Sequence, residues 1–254
     1  MILVNRIMQT NLNIEEIDVV ILCGGKGTRF MSVIKDCPKP MVEICNRPFL
    51  DILIEYIASY GFKRFVLCIG YMKDYIKQYY NSKRVSLEIV FSEEEELLGT
   101  GGAVKNAEPF IKSDIFLVAN GDSFCPLNIN KFVNFHALQE AEISAALIKS
   151  KNTGDYGSVV LDDTQRIISF NEKVQNEDGF VNGGVYLFNK NILCLIPTGT
   201  AYSLEYDFFP EIINRKFYGY LYEGEFVDIG TPERYEKAER FFEKFDRAGN
   251  NQLS

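Results

Sequence analysis

DVVILCGGKGTRFMSVIKDCPKPM, residues 18–41, begins with an apolar run of the length of a buried strand and then breaks at Gly24-Gly25. Two isolated cations, Arg29 and Lys39, follow the break. Glycines allow backbone N–H groups to approach phosphate oxygens because no side chain stands between them, and the cations add positive charge. A strand that ends in a glycine-rich, cationic loop therefore predicts a phosphate site.

Two common phosphate-binding motifs do not fit this stretch. In a Walker loop the lysine is followed by Ser or Thr, but here Gly27 follows Lys26. A dinucleotide-binding fingerprint needs Gly or Ala at its last position, where this chain has Phe30 or, in a second glycine-rich stretch, Val104. An ordinary tight turn with surface charges is the remaining alternative, so residues elsewhere in the chain must distinguish a site from a turn.

Composition indicates a single acidic α/β domain. With 254 residues, of which 46% are hydrophobic, the chain can bury a full core. We expect an N-terminal arm at residues 1–17 and one domain at residues 18–254. The 27 basic and 35 acidic residues give a net charge of -8 without a basic stripe, so we expect no nucleic-acid polymer as a partner.

The cysteines and the histidine exclude several classes of site. None of the six cysteines forms a C-x-x-C pair, which is typical of mostly buried thiols in a reducing compartment. No apolar stretch approaches the ~18 residues of a membrane span, and no signal peptide is recognisable, so we expect a cytoplasmic protein without membrane contact. The single histidine, His136, falls in an amphipathic helical pattern, where we expect a structural or surface role.

Alternating strand and helix patterns follow the opening stretch. Apolar runs at residues 65–69, 87–91 and 115–119 predict buried strands, with helical segments between them. Asp122 comes directly after the last of these runs, and the carboxyl ends of parallel strands meet at one edge of a sheet. We therefore expect Asp122 at the same edge as Gly25.

The second half of the chain is richer in strands. Further strand-like runs lie at residues 143–148, 157–161, 167–170 and 184–188. Because short turns join several of them, we expect a mixed, mainly parallel sheet flanked by helices, which is a Rossmann-like α/β fold. A first half at about residues 18–125 and a second half at about residues 126–254 would enclose a cleft between them.

A second glycine-rich stretch follows a run of acidic residues. The run of glutamates at positions 93–96 is typical of a solvated loop, and we assign it no chemistry. Residues 99–102 are predicted to form a glycine-rich loop that opens a helix, where backbone groups can lie flat against a ligand. A base or a ribose is the expected ligand of this loop.

Taken together, these stretches resemble the nucleotidyltransferases that join a sugar 1-phosphate to a nucleoside triphosphate. The matching motifs, in the order of that family, are LCGGKGTRF (22–30), PKPM (38–41), LGTGGA (98–103), NGD (120–122), FNEK (170–173), NGG (182–184), SLEYDFFP (203–210) and FVDIGTPERY (226–235). The subgroup closest in appearance is the D-glycero-alpha-D-manno-heptose 1-phosphate guanylyltransferases. The resemblance implies the nucleotide-diphospho-sugar transferase fold, with a nucleotide-binding first half and a sugar-binding second half.

The resemblance also implies roles for particular residues. The catalytic residues would be Arg29, Lys39, Asp122 and Asp228. The nucleotide-binding residues would be Cys23, Gly24, Gly25, Gly27, Thr28, Gly99, Thr100, Gly101 and Asn120. The sugar-phosphate-binding residues would be Gly157, Glu172, Lys173, Asn182 and Glu205. Asp122 and Asp228 would share Mg²⁺, for which carboxylate oxygens are suitable ligands.

The implied reaction is an in-line attack of the sugar phosphate on the α-phosphorus, with release of pyrophosphate. GTP and D-glycero-alpha-D-manno-heptose 1-phosphate are the substrates that the subgroup implies. UTP, CTP or dTTP with another phosphorylated acceptor, a non-catalytic nucleotide-sugar-binding regulatory subunit, and a homodimeric assembly all stay open. A glycosyltransferase is disfavoured because the chain has no Asp-x-Asp triplet for a metal ion.

Overall fold

A computed structural model of the protein describes residues 12–27, 36–83, 86–150, 158–171 and 179–250. The strands are β1 Asp18–Leu22, β2 Glu43–Ile44, β3 Arg47–Pro48, β4 Arg64–Ile69, β5 Glu88–Glu93, β6 Ile115–Asn120, β7 Ser123–Phe124, β8 Ile143–Ser150, β9 Ser158–Leu161, β10 Ile167–Asn171, β11 Gly179–Asn189, β12 Phe217–Tyr222 and β13 Val227–Asp228. The helices are α1 Phe49–Ala58, α2 Lys73–Ser82, α3 Gly99–Ala107, α4 Ile129–Leu138, α5 Phe209–Ile212 and α6 Pro232–Asn250.

The described strands form one large mixed sheet and two small ladders. The large sheet runs in the order β10-β9-β11-β6-β1-β4-β5, and β8 and β12 continue it from the other edge of β11. Strands β5, β4, β1 and β6 are parallel neighbours, while β11 is antiparallel to β6, β8 and β9. Helices flank this sheet, so the predicted fold class is confirmed.

Strand β11 joins the two halves of the sheet. Its first part, at Phe180 and Val181, pairs with β9, and its second part, from Val185 onward, pairs with β6. The register against β8 shifts between these two parts, where Gly184 has a φ of +69°. A Cβ at Gly184 would also lie 2.8 Å from polar side-chain atoms of β6 and β7. Only glycine satisfies both conditions at this bend.

The core lies on both faces of the sheet because successive residues of a strand point to opposite sides. Val19 and Ile21 of β1 pack with apolar residues of α1, α2, α4 and α6. Val20 packs on the opposite face with residues of α3 and α5. His136 is buried on α4, where Ser144 and Asn189 contact its two ring nitrogens, which confirms its structural role.

The second glycine-rich stretch differs from the prediction, because it is the first turn of α3 and not a loop before it. Gly102 N donates to Tyr202 O at 2.9 Å, and a Cβ at Gly99 or Gly101 would lie within 3.0 Å of the same carbonyl oxygen. These glycines therefore allow the segment around Tyr202 to pack closely against the helix. That contact spans about a hundred positions of sequence, so a local pattern could not reveal it.

Two further predictions are the N-terminal arm and the absence of a membrane span. Only residues 12–17 of the arm are described, and they form a short 3-10 turn, Ile14–Glu16, that leads into buried Ile17. Within the described parts of the chain, no helix has the length and apolar character needed to cross a membrane.

Asp18 fixes the amino end of β1. Its carboxylate accepts hydrogen bonds from Arg64 Nη1 at 2.8 Å, from Ser113 N at 2.9 Å and from Lys112 N. Burial raises the pKa of this carboxyl, but the hydrogen bonds from Arg64, Ser113 and Lys112 outweigh burial and hold the pKa below its ordinary value of 3.8. The buried pair therefore ties β1 to β4 and to the segment before β6.

We predict that Asp18→Ala lowers the free energy of unfolding by about 4 kcal/mol, because it leaves Arg64 without its buried partner. Since the folded-state pKa of Asp18 is lowered, its contribution is present above the ordinary pKa and is lost as the pH falls through the folded-state value. Urea unfolding between pH 7 and pH 3 measures both effects. Glu88→Ala removes the exposed partner of Arg64 and should cost about 1 kcal/mol or less. Equal losses in the two variants would contradict this account.

Candidate functional site

A cavity of about 300 Å³ lies at the carboxyl edge of the parallel strands. Because β1, β4, β5 and β6 run in the same direction, the segments that follow them meet at this edge. The lining residues are Leu22, Cys23, Gly24, Gly25, Gly27, Lys39, Pro40, Glu94, Leu97, Gly99, Thr100, Ala103, Asn120 and Asp122. The opening stretch of the sequence and Asp122 therefore share one cavity, as we expected.

Lys39 and Asp122 form an ion pair at one end of the cavity. Lys39 Nζ lies 2.5 Å from Asp122 Oδ2, and the lysine side chain is only 12% exposed. Gly27, with a φ of +58°, packs against that side chain, since a Cβ there would lie 3.1 Å from Lys39 Cβ. The glycine-rich loop thus holds the lysine in place, and the ammonium group lies where it can meet an anionic ligand.

Asp228 reaches the same place from the other end of the chain. Strand β13 is antiparallel to β7, with Asp228 opposite Ser123, and Ile229 N donates to the backbone oxygen of Asp122 at 3.0 Å. Asp228 Oδ1 accepts hydrogen bonds from Gly230 N at 2.8 Å and from Arg234 Nη1 at 3.2 Å. The short β7–β13 ladder therefore brings the two predicted metal ligands onto neighbouring backbone segments.

The donor set around Asp122 and Asp228 suits Mg²⁺. A Cβ built on Gly230 would lie 2.6 Å from Asp228 Oδ1 and 3.8 Å from Lys39 Nζ, so both carboxylates and the ammonium group share one region. The described residues contain no group of three or more His, Cys, Asp or Glu side chains that could enclose a metal. Mg²⁺ is commonly held by one or two carboxylates and completed by substrate phosphates and water, which matches an arrangement of two carboxylates.

Glu94 is a site residue that the sequence pattern did not predict. It is 6% exposed and lines the cavity, and its Oε2 accepts a hydrogen bond from Leu98 N at 2.9 Å. Its Oε1 faces Gly24, where an added Cβ would lie only 2.5 Å away. Burial raises the pKa of Glu94, although the hydrogen bond from Leu98 opposes that shift.

The run of four glutamates concealed Glu94. Glu93 is exposed and pairs with Lys73 and Lys77 on the surface, as expected of a solvated run. Ser92, however, is fully buried, and Glu94 lies two positions further along the same extended segment. Residues two apart on an extended chain point to the same side, but residues 92–96 are all polar, so the sequence carried no apolar alternation that could have identified Glu94.

A second group of polar side chains lies between α3 and β11. Glu205 Oε2 accepts from Thr100 Oγ1 at 2.6 Å and from Ser203 Oγ at 3.0 Å, and Glu205 Oε1 accepts from Tyr186 OH at 3.4 Å. Asn182 Nδ2 donates to Tyr186 OH at 2.6 Å. Two residues predicted to meet the sugar, Asn182 and Glu205, therefore belong to one hydrogen-bond network with Thr100 from the cavity wall.

Glu205 lies on a π-helical turn, Leu204–Phe208. Ser203 Oγ caps this turn by accepting from the backbone N–H groups of Glu205 and Tyr206, both at 3.2 Å. Asp207 Oδ2 accepts from Ser203 N at 2.7 Å, which closes the turn from the other side. Single π-helical turns occur often at functional sites, and this one directs Glu205 toward α3 and β11.

The structure places the remaining predicted site residues differently, and some of them fall outside the described residues. Gly101 does not line the cavity and packs instead against Tyr202 and Leu204. Cys23 lines the cavity, but burial raises the pKa of its thiol, so it is no nucleophile at neutral pH. The residues outside the described parts of the chain are Thr28, Arg29, Gly157, Glu172 and Lys173.

Asn120 lies in the cavity wall at the end of β6. Its Oδ1 atom is buried, and among the described residues no hydrogen-bond donor reaches it. An unsatisfied buried acceptor at a cavity wall is available to a ligand hydroxyl or amino group.

Comparison with known proteins gives concordant matches. A family model described as nucleotidyl transferase matches residues 18–244. The D-glycero-alpha-D-manno-heptose 1-phosphate guanylyltransferase of Campylobacter jejuni subsp. jejuni serotype O:2 is 38% identical over 217 residues, which cover 85% of this chain and 96% of that protein. The protein of the same name from Aneurinibacillus thermoaerophilus is 36% identical, with 88% and 97% of the two chains covered.

A solved structure is also similar to this chain. HddC from Yersinia pseudotuberculosis, complexed with GMP-PN, superimposes with a TM-score of 0.79 at 37% sequence identity. The match covers 89% of this chain and 99% of that chain.

The burial of Glu94 predicts a carboxyl that titrates above the ordinary range of glutamate, because the charged form is poorly solvated in the cavity wall. ¹³C NMR of protein labelled at glutamate carboxyls measures this titration. The signal should disappear in Glu94→Gln, which assigns it. Absence of any glutamate that titrates above the ordinary range would show that Glu94 is solvated.

Proposed function

Because the chain belongs to the nucleotidyl transferase family, we propose that it joins GTP to D-glycero-alpha-D-manno-heptose 1-phosphate, giving GDP-heptose and pyrophosphate. Two heptose 1-phosphate guanylyltransferases, at 38% and 36% identity and with nearly their whole length covered, support the choice of sugar. The structure of HddC with GMP-PN supports a guanine nucleotide.

Glu94 in the cavity wall is the observation that carries the choice of base. Guanine presents two neighbouring donors, the N1–H and the 2-amino group, and a carboxylate is an acceptor for both. The bond from Leu98 N holds Glu94 in place, while each carboxylate oxygen has capacity for further bonds. Uracil and thymine present one donor between two carbonyl oxygens, which a carboxylate repels, so the same group discriminates against them.

The triphosphate lies along the glycine-rich loop in this proposal. Gly24, Gly25 and Gly27 keep the backbone free of side chains beside the nucleotide, and Lys39 Nζ donates to the reacting phosphate. Thr28 and Arg29, which lie outside the described residues, are proposed to bind the β- and γ-phosphates. Such a displacement depends on alignment and charge neutralisation, so no covalent intermediate on the protein is required.

The metal ion belongs to the same proposal. Mg²⁺ held by Asp122 and Asp228 would supply positive charge beside the α-phosphate, where negative charge develops during the displacement. The β7–β13 ladder fixes the backbone positions of Asp122 and Asp228. Hydrogen bonds from Arg234 Nη1 and Gly230 N orient the carboxylate of Asp228.

The sugar phosphate occupies the second half of the cleft. The Asn182 amide is proposed to donate hydrogen bonds to sugar hydroxyls, and the Glu205 carboxylate is proposed to accept hydrogen bonds from them. Gly157, Glu172 and Lys173, which lie outside the described residues, are proposed to complete the sugar-phosphate site, with Lys173 on the phosphate. A cytoplasmic location, the absence of nucleic-acid polymers as partners, and a homodimeric assembly stay predictions from the sequence.

Pyrophosphate release, measured for GTP, UTP, CTP, ATP and dTTP against a panel of sugar 1-phosphates, tests the proposed function. The highest kcat/KM is expected for GTP with D-glycero-alpha-D-manno-heptose 1-phosphate. A higher value with UTP or with another sugar phosphate would replace these substrates, and no release with any pair would overturn the proposal.

We predict that Glu94→Gln reduces the preference for GTP over UTP by ~10- to 100-fold, since a hydrogen bond to a charged group contributes about 1.5–3 kcal/mol. Inosine triphosphate lacks the 2-amino group, so the unaltered enzyme should discriminate against it and Glu94→Gln should discriminate less. Because the pKa of Glu94 is raised, the KM for GTP should increase as the pH falls and the carboxylate becomes protonated. Steady-state kinetics between pH 5 and pH 8 measure all three effects.

Glu96→Gln is the matched control, because Glu96 belongs to the same run but is exposed. It should leave base preference and pH dependence unchanged. An unaltered preference in Glu94→Gln would remove Glu94 from base recognition.

We predict that Asp122→Asn or Asp228→Asn lowers kcat by ~10²-fold or more with the fold intact, because each removes negative charge that holds the metal. Turnover assays measure kcat, and circular dichroism measures whether the fold is intact. The exposed Asp163→Asn serves as the control. Near-normal turnover in both site variants would refute the assignment of these carboxylates.

A further inference from the structure

We propose that Tyr186 and Thr100 are positioning residues that hold the carboxylate of Glu205 for the sugar phosphate, and that Thr100 thereby couples the sugar site to the nucleotide cavity. This inference rests on the proposed function, in which Glu205 meets the sugar. It concerns two hydroxyl groups, neither of which need touch the sugar itself.

Both oxygens of Glu205 are held by hydroxyl donors from different parts of the fold. Thr100 on α3 donates to Oε2 at 2.6 Å, and Tyr186 on β11 donates to Oε1 at 3.4 Å. Each hydroxyl has a single hydrogen, so a donor that is used for Glu205 is not available to another acceptor. Together with Ser203 Oγ, which also donates to Oε2 at 3.0 Å, the two hydroxyls restrain the orientation of the carboxylate between α3 and β11.

The position of the Tyr186 hydroxyl is itself determined by packing. The residue is fully buried directly after the bend of β11, and its ring contacts the rings of Phe188 and Phe209. Its hydroxyl oxygen accepts from Asn182 Nδ2 at 2.6 Å while its hydrogen is directed to Glu205. Tyr186 thus aligns two residues that are proposed to meet the sugar.

Thr100 connects this network to the nucleotide cavity. It lines the cavity, accepts from Leu204 N at 2.8 Å, and donates to Glu205. The first turn of α3 packs directly against the segment before Glu205, since Gly102 N donates to Tyr202 O at 2.9 Å and a Cβ at Gly99 would approach the same oxygen to 2.8 Å. A nucleotide that contacts the start of α3 therefore acts on the geometry of Glu205.

This arrangement predicts positive coupling between the two substrates. A nucleotide that restrains the start of α3 also restrains Glu205 before the sugar phosphate binds. Less conformational entropy of Glu205 is then lost when the sugar phosphate binds. By linkage, the sugar phosphate must then increase the affinity for the nucleotide by the same factor.

Three variants test the inference on the full-length enzyme. Tyr186→Phe and Thr100→Val each remove one hydroxyl and keep the shape, so the KM for the sugar 1-phosphate should rise about 10-fold or more. The KM for GTP measured at saturating sugar phosphate should change by less than about 2-fold in Tyr186→Phe. Thr100→Ser retains the hydroxyl and should restore the KM of the unaltered enzyme.

The coupling requires a binding measurement. Calorimetric titration of the sugar 1-phosphate, with and without a non-hydrolysable GTP analogue, should show tighter binding with the analogue. That difference should be lost in Thr100→Val and retained in Tyr56→Phe, in which the removed hydroxyl donates to Leu127 O away from the site.

The outcomes separate the inference from the function on which it rests. Equal changes in both KM values in Tyr186→Phe, or an unchanged sugar KM in both variants, would assign the hydroxyls a purely structural role and overturn the inference, while pyrophosphate release from GTP would preserve the function. An unchanged sugar KM in Glu205→Gln would also overturn the inference alone. Absence of turnover by the unaltered enzyme would refute both.

Discussion

The parallel pairing of β1 with β4 on one side and β6 on the other is the constraint on which the site depends. Val20 lies opposite Val66 and Val118 in this register, and all three are fully buried. Since the backbone groups of β1 are committed to its neighbours, the chain can diverge only at the carboxyl edge, where the loops after β1, β5 and β6 surround one cavity. The glycine-rich loop, Glu94 and Asp122 are neighbours for this reason.

The acidity of the protein makes this local arrangement necessary. With a net charge of -8, the whole molecule does not attract a polyanionic ligand, so the attraction must come from groups inside the cleft. Lys39 is largely buried against Asp122, and the β7–β13 ladder adds Asp228 from the far end of the chain. In this partly buried cleft the carboxylates attract a metal ion and Lys39 attracts a phosphate more strongly than exposed surface charges would.

The sequence predicted features that depend on local patterns. The buried strands followed from apolar runs, and the placement of Asp122 beside Gly25 followed from the geometry of parallel strands. Glu94 was missed because a run of charges conceals the alternation of an extended segment. The role of Tyr186 was missed because a fully buried tyrosine on a strand is typical of the core. The packing of Gly101 against Tyr202 was missed because it depends on a contact between distant segments, which no local pattern records.

The central claim is that the guanine edge faces Glu94 while the triphosphate extends toward Asp122 and Asp228. A crystal structure of the protein with Mg²⁺ and a non-hydrolysable GTP analogue tests this most directly. The account predicts guanine N1 and the 2-amino nitrogen within about 3.0 Å of the Glu94 carboxylate, with the metal ion bound by both aspartates. A base whose Watson–Crick edge faces away from Glu94, or a metal ion bound away from Asp122 and Asp228, would contradict it.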